Sequence, residues 1–327
     1  MSSSNHGEKI GKEARPRVGL ALGGGGARGF AHLGILRVFE ESGIPIDLLT
    51  GTSMGALIGA LYAQSRCASA AVARLERVLK EQQGSARLLK LYGAERKGDH
   101  FLNYVAQRIQ QRVIINLSIT RKSLLPASRL ELAVADLIED GSLEELAIKL
   151  GVVASDLISA KGVILHHGPV RKAVVASSSI PGFFPPVKWG DLLLVDGEVT
   201  DLVPVESCRA LGADFVVAVD VTPEIRPAGE LEHTLDVFLR SVRITNYRHA
   251  ENALNKADFV LRPVHDSVPW ADFDRLSELI GAGADCARQH LPQIREALAR
   301  SNCAPHSRAD DAFSQTHIDS ADLLKKT

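Results

Sequence analysis

Gly51-Thr52-Ser53-Met54-Gly55 is the stretch of this chain whose residue types and spacing could do chemistry. Gly-x-Ser-x-Gly marks a sharp strand-to-helix turn that lifts a serine hydroxyl clear of the backbone. The flanking glycines, Gly51 and Gly55, relieve crowding where such a serine is held in a strained conformation. A hydroxyl nucleophile also needs a base and donors for a developing oxyanion. A glycine run upstream, Gly23-Gly24-Gly25-Gly26-Ala27-Arg28-Gly29, can supply the donors. Backbone amides at a helix start favour an anion, and Arg28 adds fixed positive charge beside them.

These residues need elements to position them. Val18–Leu22 reads as a buried strand ended by the glycines. Apolar residues at steps of three and four from Phe30 to Phe39 predict a helix over 27–42, stopped by Gly43. Residues 46–50 form a second strand that enters the serine motif, and an Ala/Leu-rich helix follows to about Gln64. Residues 18–64 therefore make a βαβα unit with both glycine motifs at the carboxyl ends of strands, where open α/β sheets bind ligands. Strands are expected again at 150–157, 163–166, 192–195 and 215–220, with helices at 170–177, 229–256 and 271–300.

The glycine run also fits the dinucleotide pattern Gly-x-Gly-x-x-Gly. That use wants an acidic residue ending the second strand, whereas Thr50-Gly51-Thr52-Ser53 stands there and Asp47 comes too early. The Gly-Lys-Ser/Thr of a phosphate-binding loop is missing as well. Among candidate bases, the eleven histidines sit in no motif that aims them at the strand edge, and His32 is read as a surface or packing residue. Asp196 ends an apolar strand and precedes Gly197, either as a base or as an ordinary turn cap.

The chain has 327 residues, 45% hydrophobic and 24% charged, with a formal net charge of −1. That balance suits a globular protein and gives no reason to expect nucleic acid as a partner. The four cysteines, Cys67, Cys208, Cys286 and Cys303, have no zinc spacing, so neither metal nor disulfide framework is expected. The amino-terminal residues lack the apolar core of a signal peptide, and no apolar run is long enough to span a bilayer. The expected location is the cytoplasm, with any membrane met from its surface. Between Arg74 and Lys122, eleven Lys and Arg face four Asp and Glu, interleaved with leucines and aromatics. This basic stretch is either a solvated helical face or a cap able to meet an anionic membrane surface.

The glycine run, the serine motif, the stretch Ala176-Ser177-Ser178-Ser179-Ile180-Pro181-Gly182-Phe183-Phe184-Pro185-Pro186 and Asp196-Gly197 follow one another in order. Together they resemble the patatin-like phospholipase family, in particular its stand-alone bacterial members related to the catalytic domain of neuropathy target esterase. The resemblance covers about Val18 to Val221. It implies an α/β, three-layer patatin-like sandwich, with a mostly parallel central sheet, helices on both faces and a nucleophile elbow. It implies hydrolysis of fatty acyl esters, without cofactor, by a dyad: Ser53 as nucleophile and Asp196 as proton acceptor. Gly24, Gly25, Gly26, Arg28 and Gly29, with the amide of Met54, would form the oxyanion hole. The expected organisation is a disordered segment at 1–16, the catalytic domain at 17–300 with a helical cap-like insertion at 67–147, and a disordered polar tail at 301–327. Met54, Leu57, Ile58, Phe183 and Phe184 are candidate pocket walls, with core packing as their competing use.

The family's aspartate motif is usually Asp-Gly-Gly or Asp-Gly-Ala, whereas this chain has Asp196-Gly197-Glu198. A carboxylate beside Asp196 would raise its pKa. The expectation is that the chain turns at Gly197 and carries Glu198 outward. The competing function is a catalytically weak scaffold of the same fold, and Glu198 is its support.

Overall fold

Short apolar runs set the centre of the sheet. Val18–Leu22 (β1) is buried at every position and lies parallel to Leu48–Thr52 (β2) on one side and Phe215–Val219 (β7) on the other. Continuous rather than alternating apolar runs are what a strand covered on both faces requires. Lys149–Asp156 (β3) extends the parallel part beyond β2, and Phe259–Leu261 (β8) extends it beyond β7. The protein is described from a computed structural model covering residues 15–80, 123–225, 231–263, 268–270, 272–301 and 317–320, together with 227 and 229. Among these residues the sheet has nine strands.

The remaining strands gather around β3. Lys161–Leu165 (β4) is antiparallel to it along residues 152–156. Leu192–Asp196 (β6) is antiparallel to it along 154–156 and carries Val187–Trp189 (β5) on its far side. Because β4 occupies one edge of β3, β2 and β6 must share the other. β2 reaches up to the pair Thr52–Val153, and β6 takes over at Asp196–Ala154. Two strands running in opposite directions thus meet end to end, each with its carboxyl terminus at the seam.

Helices cover both faces. One core joins Leu20, Leu22 and the odd-numbered residues of β7 to Ala31–Glu41 (α1), Met54–Ser65 (α2), Ala68–Lys80 (α3), Ala127–Leu137 (α4), Val170–Ser177 (α5) and Leu276–Ser301 (α8). The other joins Ala21, Val216 and Ala218 to Val205–Ala210 (α6) and Thr234–Leu254 (α7). The period-two alternation along β1 and β7 sends successive side chains to opposite layers. This is the three-layer α/β arrangement that the family resemblance implies. Helices α1 and α8 cross so closely that a Cβ on Gly34 would enter the backbone of Ile280 and Ala284, and one on Gly283 would enter the carbonyl of Ala31.

The expected boundaries shift in places. The first turn of the helix expected from residue 27 is a 3-10 turn, Gly26–Phe30, and α1 proper begins at Ala31. Helix α7 begins at Thr234, and a 3-10 turn, Phe273–Arg275, precedes α8. Of the expected cap at 67–147, α3 and α4 are helical and Leu143–Glu145 is a 3-10 turn, while residues 81–122, with most of the basic stretch, lie outside the described residues. The expected tail from 301 contains a correction. His317–Asp319 (β9) is a strand parallel to β4, tied further by His166 to Asp319 and by the His166 amide to Ser320 Oγ at 3.0 Å.

Candidate active site

The seam between β2 and β6 brings Ser53 and Asp196 together. Ser53 follows β2 directly, with φ 53° and ψ −117°. A non-glycine residue held there stores about 1–3 kcal/mol, so neighbours must hold it. Its amide donates to Ser177 Oγ at 2.9 Å, and the Ser177 hydroxyl donates to the Val153 carbonyl at 2.5 Å. Thr52 Oγ1 donates to the Asp201 carbonyl at 2.7 Å, anchoring the strand end below the turn. Helix α2 starts at Met54, and all its residues through Ala63 are buried. The tight turn needs Gly55, because a Cβ there would strike the Leu22 carbonyl.

The glycine loop lies against this turn, with the Gly24 Cα facing the Ser53 Cβ. The amide of Gly23 is occupied by the Val219 carbonyl at 3.0 Å, that of Gly24 by Leu202 at 3.0 Å and that of Ala27 by Trp270 at 2.7 Å. Among the described residues no hydrogen bond takes up the amides of Gly25, Gly26 or Met54. Gly26 has φ 60°, a conformation in which a side chain would also meet the Trp270 backbone. Gly29 gives Met54 room to pack across the loop. Arg28 folds back, its Nε donating to the Gly25 carbonyl at 3.1 Å.

His32 holds this loop from beneath. It is fully buried, and its Nε2 lies 2.9 Å from the Gly23 carbonyl. A carbonyl only accepts, so Nε2 carries the proton. Burial, opposed by that hydrogen bond, pushes the imidazole down to about 4. The ring is neutral at ordinary pH, and of the surface and packing readings its burial leaves packing.

Asp196 is completely buried at the end of β6. Its Oδ1 accepts the Glu198 amide at 3.0 Å, while among the described residues Oδ2 has no hydrogen-bond partner. Burial first, then the charge of Glu198, hold its carboxyl well above the usual carboxylate range. The Glu198 amide and the nearby Ser53 hydroxyl oppose that shift. The placement of Glu198 corrects the expectation. The chain does turn at Gly197, into the 3-10 turn Gly197–Val199. Glu198 nonetheless stays partly buried, near enough to act on Asp196. Burial raises its own carboxyl and the guanidinium of Arg28 pulls it back down. The Glu198 amide bonded back to Asp196 Oδ1 holds the turn in, and Gly197 is needed there because a Cβ would strike the Val153 carbonyl at the seam. Arg28 thus faces Glu198 as well as the glycine loop.

Of the candidate walls, Ile58 and Phe184 are buried in the core. Met54 and Leu57 are nearly so, and Phe183 is partly exposed, with its ring edge-on to Trp270 at 6.2 Å between centroids. Trp270 was not singled out by its sequence, and its carbonyl on the Ala27 amide sets that aromatic pair beside the glycine loop. Ser177 was visible only as part of the motif Ser177-Ser178-Ser179. The carbonyl of Ser179 receives the Asp196 amide at 3.0 Å, so this one stretch contacts both strand ends.

The fold and the seam define an α/β protein with a strained serine at a strand-to-helix elbow. The patatin-like phospholipase family profile matches residues 20–209, and the chain belongs to that family. An uncharacterized NTE family protein of Mycobacterium tuberculosis is 32% identical over 237 residues, 71% of this chain and 57% of its own length. Lysophospholipase NTE1 of Yarrowia lipolytica is 28% identical over 304 residues, 85% of this chain and 20% of its own. The chain therefore spans little more than half of the mycobacterial relative and a fifth of the yeast one. The crystal structure of VipD from Legionella pneumophila aligns over 86% of this chain and 68% of that one, at 14% identity and a TM-score of 0.40.

Proposed function

We propose that the chain hydrolyses fatty acyl esters of lipids, phospholipids or lysophospholipids, through a Ser53–Asp196 dyad. The observation that carries this reading is a buried carboxyl, Asp196, whose Oδ2 has no hydrogen-bond partner among the described residues, beside a serine in elbow conformation. Family membership and a relative named a lysophospholipase support the substrate class. The Asp196 carboxylate takes the hydroxyl proton as Ser53 Oγ attacks the ester carbonyl. Its raised affinity for protons makes it a better base than an exposed aspartate. The oxyanion forms towards the amides of Gly25, Gly26 and Met54. Asp196 then returns the proton to the departing alcohol or lysolipid. Water, deprotonated by the same carboxylate, cleaves the acyl-serine, and the proton returns to Ser53 as the fatty acid leaves. Removing one donor from such a hole costs about 10²- to 10³-fold in rate.

The test is hydrolysis of a p-nitrophenyl acyl ester series, with fluorophosphonate labelling in parallel. Wild type should turn over and label, Ser53→Ala should do neither, and Asp196→Ala should lose turnover. Folded wild-type protein that neither labels nor turns over would support the scaffold reading, for which Glu198 beside the base is the favouring observation.

A further inference from the structure

Helix α7 is longer than the sheet it packs on. Its first buried side chain among the described ones is Ala250, followed by Ala253 and Leu254 against α6 and the sheet. Two contacts fix where the helix passes the sheet's carboxyl edge. His249 Nε2 donates to the Thr200 carbonyl, just beyond the Asp196 turn. Glu251 pairs with Arg262, the residue after β8, which also reaches Asp220 at the end of β7. Residues 234–248 therefore run past the edge at which Ser53 and Asp196 lie, by about 22 Å at ~1.5 Å per residue.

No described side chain on this overhang is buried. Phe238 is 61% exposed, and Val237, Leu239, Val242 and Ile244 are each more than 40% exposed. Phe238 and Val242 are one turn apart, with Leu239 beside them. Over residues 237–248 the only charged residues are Arg240, Arg243 and Arg248. The one carboxylate of the overhang, Asp236, caps the helix start on the His233 amide at 3.1 Å, and beyond it exposed aliphatic and aromatic side chains mixed with arginine complement a surface that is apolar below and anionic above. No helix of the described residues is long and apolar enough to cross a membrane, so the match is to a bilayer's surface.

We propose that the amino-terminal part of α7, Val237 to Arg248, is a docking surface for an anionic lipid bilayer, holding the seam against the membrane. This rests on the lipid-ester reading and assigns the contact to an element apart from the basic stretch 74–122. Its geometry accounts for a protruding apolar helix on the catalytic edge, and it places the membrane on the side from which an acyl chain would come.

Flotation with vesicles of phosphatidylcholine, alone or mixed with phosphatidylglycerol, tests it on the full chain. Wild type should bind the mixed vesicles, and more weakly as salt rises. The double variant Phe238→Ser, Val242→Ser should bind about tenfold more weakly. Arg243→Glu, Arg248→Glu should lose its preference for anionic vesicles. Both should keep wild-type turnover of p-nitrophenyl butyrate, which reports an intact site. Wild type that ignores vesicles, or variants that bind like wild type, overturn the proposal. So does a wild-type dimer, seen by sedimentation velocity, that Phe238→Ser, Val242→Ser dissociates while vesicle binding is unchanged. Absence of soluble-ester turnover in wild type refutes the hydrolase reading instead, and leaves vesicle binding to decide the role of α7.

Discussion

Ser177→Ala separates the elbow's strain from its support. The Ser177 hydroxyl accepts the Ser53 amide at 2.9 Å and donates to the Val153 carbonyl at 2.5 Å, and its side chain is fully buried. Alanine fits the same space and strands both groups. A buried polar group left unsatisfied costs about 1–3 kcal/mol. Ser53 is partly exposed, so water can relieve its amide. The expected loss of stability is therefore about 2–4 kcal/mol, between one and two such groups. It should appear in urea unfolding as a lower midpoint with an unchanged slope. Activity should fall for a separate reason. The amide bond helps hold φ at 53°, and a nucleophile displaced by a fraction of an ångström loses its near-attack geometry. On p-nitrophenyl butyrate, kcat should drop about 10- to 100-fold with KM little changed. A variant that loses stability as calculated but keeps wild-type kcat would refute the reasoning, because the elbow would then hold itself.

Two further outcomes follow from the electrostatics of the seam. With its pKa raised by burial and by Glu198, Asp196 keeps its proton in the folded chain at pH values where the unfolded chain has lost it, above about 3.9. Stability contributed here thus falls as pH rises from that value through the folded pKa. Asp196→Asn should be more stable than wild type at pH 7 in urea, with the gap closing towards pH 4, and should be inactive. A variant less stable at pH 7 contradicts this. Glu198→Gln removes the neighbouring charge that helps hold the Asp196 carboxyl up, so the acid limb of kcat/KM should move to lower pH. A pH–rate profile with an unmoved limb would show that Glu198 does not act on Asp196.

What was legible in the sequence is what the backbone must do locally. The elbow and the glycine loop were readable because each requires residues without side chains at positions that crowd another backbone, as Gly55 does against Leu22. Asp196 was readable as the end of an apolar strand, although its partner along β3 was not. The seam depends on β2 and β6 sharing one edge, a tertiary fact with no local signature. Ser177 and His32 act on groups set by folding, so a serine in a serine-rich stretch and a histidine on an apolar helix gave no sign of their partners. Glu198 was misplaced because a glycine turn suggests an outward swing, whereas its amide bonds back to Asp196 Oδ1 in a 3-10 turn. β9 was missed for a compositional reason: a polar tail reads as unstructured even where three residues add to a strand edge.

The close crossing of α1 and α8 has a consequence for synthesis. The helix that carries the glycine loop's supporting histidine is emitted early, yet its seat against Ile280, Gly283 and Ala284 comes near the end of the described chain. The same delay applies to β1, whose neighbour β7 arrives only at residue 215. A nascent chain on the ribosome can form the elbow's local turn but has nothing to clamp the loop above it. Contacts this distant in sequence form late and slowly. A half-made polypeptide would thus lack a seated glycine loop, and the timing of the site's assembly is written into the chain order of the fold.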